Sequence, residues 1–91
     1  MRHIPAQRQL EISEWVNGQF ETGEPPELKQ RPHDVDDYRH WKSNPESGIT
    51  GTVYLARHTV YYYAADADKP PNTGWWDMGP LPENLREHDD D

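Results

Sequence analysis

Residues 50–79 read TGTVYLARHTVYYYAADADKPPNTGWWDMG and hold six of the ten aromatic residues of the chain. Two β-favouring runs, residues 52–56 and 60–65, flank the polar break Arg57-His58-Thr59, the pattern of a hairpin. A Pro70-Pro71-Asn72-Thr73-Gly74 segment then delivers the pair Trp75-Trp76. On a strand, Tyr61 and Tyr63 share one face while Tyr62 joins Val60 and Ala64 on the other, so the three tyrosines do not serve one surface. Of the two adjacent tryptophans, one is expected in the core and the other outside. The fold class that follows is mainly β, a small α+β module: a short antiparallel hairpin or sheet with an aromatic core, one or two short helices and a long Pro-rich loop.

Working outward, 91 residues give one domain with a limited core. Only twelve residues are Ile, Leu or Val, so much of the core must come from four Trp, five Tyr and one Phe, each able to bury about 150–250 Å². Core and binding surface therefore compete for the same side chains. The absence of cysteine excludes disulfides and thiolate zinc sites.

Residues 4–20 carry Ile12, Trp15, Val16 and Phe20 at helical spacing, with Pro5 near the start and Gly18 near the end, but Leu10 and Ile12 also alternate; helix and strand both remain open. Residues 21–32 turn to Gly, Pro, Glu and Lys, as an exposed loop or extended connection does. Asp34 is then placed to cap a brief helix carrying Val35, Tyr38 and Trp41, ending before Asn44-Pro45. Beyond Gly79, Pro80 and Pro82 start a short turn with Leu81 and Leu85. One domain is expected over 1–91, with 1–32 as an N-terminal segment and loop suited to attachment, 41–85 as the aromatic module and 86–91 as an acidic disordered tail.

No run approaches the roughly 18 apolar residues of a membrane span, and Met1-Arg-His-Ile-Pro lacks the apolar stretch of a secretory signal, so a chain made in the cytoplasm and not exported by a signal peptide is expected. A formal charge of −8 disfavours direct nucleic-acid binding, which needs lysines and arginines to neutralise phosphates. It admits the opposite role, an acidic phage inhibitor that mimics nucleic acid and covers a basic surface of a host defence or transcription protein. The carboxylates, however, are scattered from Glu11 to Asp37, with no dense block until Asp89.

Catalytic patterns are weak. A glycosidase pair needs two carboxyl groups about 5–9.5 Å apart across a cleft, for which a chain this small has little material. Asp36 and His40 stand at i,i+4, but two ligands fall short of a metal site and read as a solvated face, as does His88 with its three aspartates. No phosphate-binding glycine loop, serine-nucleophile motif or thiol is present. The expectation is a non-enzymatic protein without cofactor or metal.

With these residues in view, the chain resembles the small chitin-binding type of carbohydrate-binding module found in bacterial chitinases and, in variant form, in phage tail and fibre proteins. That pattern runs from a Trp and a Tyr or Phe five residues on, through a Gly-Asp, a Val-containing strand, a Gly turn and a Tyr-x-Ala strand, to a closing Trp. Trp15, Phe20 and Gly23-Glu24 resemble its opening; Gly51-Thr-Val53, Tyr62-Tyr-Ala64, Pro70-Pro71 and Trp75-Trp76 resemble its close. Glu24 stands in place of the Asp, His58 or Thr59 in place of the turn Gly, and a long stretch separates the halves; a second alignment opens at Trp41. The resemblance implies a virion or fibre-associated structural protein whose partners are other virion proteins or a host surface glycan, with self-association open, or else a free-standing glycan-binding accessory protein.

Sugar rings present an apolar C–H face that stacks on aromatic side chains. Trp75, Trp76, Tyr61, Tyr62 and Tyr63 are the candidates for such a platform, with Asn72, Asp77, Asp66 and Asp68 as polar partners. The competing reading assigns any one of these aromatics to the core of an aliphatic-poor protein.

Overall fold

The computed structural model describes residues 4–23, 26–28, 30–64 and 74–86. Asp66, Asp68, Asn72 and the acidic tail from residue 87 onward lie outside the described residues. Helix α1 (Ala6–Thr22) is followed by strands β1 (Glu27–Leu28), β2 (Arg39–Lys42), β3 (Thr52–Ala56), β4 (Thr59–Ala64) and β5 (Gly74–Pro80), all in one antiparallel sheet ordered β1-β5-β4-β3-β2. The protein is a small α+β domain, one helix packed on one face of a five-stranded sheet.

The N-terminal segment resolves as helix because its apolar residues meet the sheet at helical spacing: Ile12 and Val16 are 1% and 0% exposed, and Trp15 and Phe20 pack beside them. Pro5 occupies the N-cap position and provides no capping side chain, and the first turn holds no acidic residue, so docking rather than local signals holds α1 in place. The segment expected to suit attachment thus includes residues that line the core.

The brief helix expected over Asp34 to Trp41 does not form. A 3₁₀ turn, His33–Asp36, buries Val35, and the chain then enters β2, pairing Trp41 with Val53 and His40 with Tyr54. Trp41 gains a core position by strand alternation, which leaves His40 on the opposite face; pairing with β3 overrides the three-residue spacing. Within the Pro-rich stretch, Glu27 and Leu28 add β1 to the far edge, Leu28 opposite Trp75. Trp75 and Trp76 sit in β5 itself, and the turn expected around Leu85 is a 3₁₀ turn, Glu83–Leu85.

Between sheet and helix lie Val53, Leu55, Val60, Tyr62, Trp76 and Met78, all buried. Phe20 presents its edge to Tyr62 and Trp76, with centroids 5.7 and 5.0 Å away. The Trp41 indole Nε1 donates to Ser13 Oγ at 2.9 Å, and Arg8 donates to the Leu85 carbonyl, tying α1 to β2 and to the C-terminal turn. Gly51 is required by close approach: a Cβ there would stand 2.1 Å from the Tyr63 carbonyl oxygen. The β3–β4 hairpin turns on Arg57-His58, with Arg57 at φ 60°, a region that costs an L-residue about 1 kcal/mol or more.

Candidate functional site

The sheet's second face, turned away from α1, holds the remaining aromatics. Strand alternation and register set two rows across it. His40, Tyr54, Tyr61 and Asp77 form one row on β2 to β5, and Thr52, Tyr63, Trp75 and Leu28 form the other on β3, β4, β5 and β1.

Ring contacts join the rows. Tyr38 lies 5.1 Å from His40 and 4.9 Å from Tyr54, and His40 stacks on Tyr54 at 5.6 Å with planes 18° apart. Tyr54 continues to Trp75 at 4.8 Å, and Trp75 to Tyr63 at 5.0 Å, the planes tilted 50° and 51°. Tyr38, Tyr54, Tyr63 and Trp75 are each half-buried and His40 is exposed, so the series presents ring surface to solvent. From β2 to β5 it crosses three strand spacings, about 14 Å.

Beneath one border of this platform, Tyr61 is 6% exposed and clusters with Val35 and Ala56. Its hydroxyl donates to Asp34 Oδ2 at 3.0 Å. Burial first, and then this bond and the Asp34 charge, push the Tyr61 phenol up to about 12. Burial also raises the Tyr54 phenol, with the neighbouring Tyr38 adding to it, so that hydroxyl stays protonated and able to donate at neutral pH. At the rim Arg31 Nη1 meets Asp36 Oδ1 at 2.8 Å on an exposed edge. That bond is the largest of the influences that raise the guanidinium, and Tyr38 contributes a smaller one.

Of the residues proposed from sequence for a ligand surface, Trp75 and Tyr63 meet here. Trp76 and Tyr62 do not: β5 and β4 alternation turns them into the core, 6% and 4% exposed. Tyr61 shares the face but is covered by the His33–Asp36 turn, and the half-buried Asp77 accepts the Gly79 N–H at 2.9 Å near the end of β5. Asn72 lies outside the described residues. Sequence reasoning missed Tyr38, His40 and Tyr54. Tyr54 was within reach, since it alternates with the core residues Val53 and Leu55; Tyr38 and His40 were hidden by the helical reading of their segment. Asp36 and His40 do not act as a pair: Asp36 holds Arg31 while His40 stacks on Tyr54. Among the described residues no cluster of three or more His, Asp or Glu is placed to hold a metal ion, and no helix is long and apolar enough to cross a membrane.

No protein-family model, no curated protein and no solved structure matches this chain.

Proposed function

We propose that the protein is a non-enzymatic carbohydrate-binding module, carried on a phage virion or fibre as the resemblance implies, whose outer sheet face stacks against the rings of a host glycan. The observation that carries this reading is the unbroken contact series Tyr38, His40, Tyr54, Trp75 and Tyr63 on a half-exposed face. A core needs no such series on its solvent side, and an aromatic strip about 14 Å long offers stacking to more than one sugar ring. The rim supplies hydrogen-bond groups for sugar hydroxyls: the Tyr54 phenol, the Arg31 guanidinium and the Thr52 hydroxyl on the neighbouring row. Nucleobases also stack on aromatic rings, but their phosphates meet a chain of formal charge −8, which favours an uncharged glycan.

Tryptophan fluorescence titrated with soluble neutral oligosaccharides, chitin fragments included, tests this at low and high salt. A saturable change that survives high salt is expected. Trp75→Ala should abolish it in a protein that still folds, because Trp75 lies on the outer face. Trp76→Ala should instead cost about 3–5 kcal/mol of stability by emptying a core position. A flat titration with well-folded protein would move the platform to a protein partner, such as a neighbouring virion subunit, for which clustered aromatics are equally suited.

A further inference from the structure

The sheet ends on one side at β2, and among the described residues nothing pairs with its outer edge. The Ser43 N–H bonds to the Gly51 carbonyl at 2.9 Å, which makes 43 and 51 a bonded pair. Since bonded and non-bonded pairs alternate in an antiparallel ladder, the backbone groups of Arg39 and Trp41 also turn toward β3, and those of His40 and Lys42 turn toward the open edge. Beside that edge, on the helix side, is a groove of about 310 Å³ between α1 and β2, bordered by Ala6, Leu10 and Trp41 and by the polar Gln7, Gln9, Ser13, Lys42 and Asn44. No carboxylate lines it. The edge strand is Arg39-His40-Trp41-Lys42, two cations and a histidine in a chain with only nine Lys and Arg against 17 Asp and Glu.

We infer that β2 is a docking edge for an extended acidic segment of a partner protein, which adds as a sixth strand, bonding its backbone to His40 and Lys42 and lowering alternate uncharged side chains into the groove beside Trp41. Three features converge on this occupant. The outward donors and acceptors of His40 and Lys42 fix its backbone as a strand, the groove accepts a side chain on every second residue, and Lys42, which alternation places with His40 on the other face, selects carboxylates on the residues between. A second copy paired edge to edge is disfavoured, because its own edge, Arg39-His40-Trp41-Lys42, brings further cations and no carboxylate to the new ladder. The groove lies on the helix side of the sheet, opposite the sugar platform, while His40 belongs both to this edge and to the platform.

The test uses a blocked peptide of alternating Val and Asp, with an alternating Val and Lys peptide as its counterpart. Backbone amide exchange is followed by NMR in the full chain. With the Val-Asp peptide, the His40 and Lys42 amides should become protected at least tenfold, and the effect should weaken with salt. Lys42→Pro removes an outward donor that β3 does not use, so the sheet should persist while peptide affinity falls at least tenfold. Lys42→Glu keeps the backbone donor and reverses the charge, and should lower affinity several-fold even if the proline variant does not fold. The inference is overturned if neither peptide protects these amides, if the Val-Lys peptide protects them equally, or if they are protected without peptide in a concentration-dependent way, which would mark a self-paired edge.

Discussion

Tyr61 belongs neither to the core beneath α1 nor to the exposed ring series; its buried phenol ends on Asp34, which locks the His33–Asp36 turn over the sheet. Because the folded protein holds its proton up to a pKa of about 12, against about 10 in the unfolded chain, this group's stabilisation is complete below pH 10 and drains away as the pH rises through 12. The loss amounts to at most about 3 kcal/mol, two units at about 1.4 kcal/mol each. Tyr61→Phe should cost about 1 kcal/mol at pH 7 through the lost hydrogen bond, and its stability should then fall less steeply than wild type between pH 10 and 12. Urea midpoints at pH 7, 9 and 11 measure both effects. Parallel declines for the two proteins would assign the alkaline limb to other phenols, Tyr54 first among them.

At the scale of elements, α1 is held by what it touches. With no side-chain cap and no acidic first turn, it depends on Ile12 and Val16 against the sheet and on the buried bond from Trp41 Nε1 to Ser13 Oγ. Ser13→Ala leaves a buried indole N–H without its acceptor and should cost about 1–3 kcal/mol, read from the urea midpoint. Trp41→Phe added to Ser13→Ala should cost less than the two single changes summed, since the second substitution removes the orphaned donor. This bond also shows where sequence reading stopped. Alternation within a strand needs only local spacing, so the division of Tyr61 and Tyr63 from Tyr62 was legible in the bare chain. The choice between helix and strand for residues 4–20, and for 34–41, depended on a partner distant in sequence: the sheet face in one case and β3 in the other. Tyr38 and His40 were lost to the platform for the same reason, because only the β2–β3 register places them beside Tyr54.

For the whole molecule, the decisive relation is that one buried cluster joins α1 to β2, β3, β4 and β5. Were residues 1–32 an appended arm, helix would melt while the aromatic module stayed intact. Here Ile12 and Val16 share their apolar surroundings with Val53, Tyr62 and Trp76, and Phe20 contacts the rings of the last two, so removing the helix uncovers the inner face of the sheet. A domain of 91 residues has little stability to spare for such exposure. Unfolding should therefore be a single transition. The far-UV signal of α1 and the fluorescence of the buried Trp41 and Trp76 should trace coincident urea curves, with the same midpoint and slope. Loss of helix at lower urea than loss of the tryptophan signal would separate the two parts and return α1 to the role of an arm. Coincidence would make the helix the support that keeps the inner face covered, and so keeps the aromatic outer face rigid.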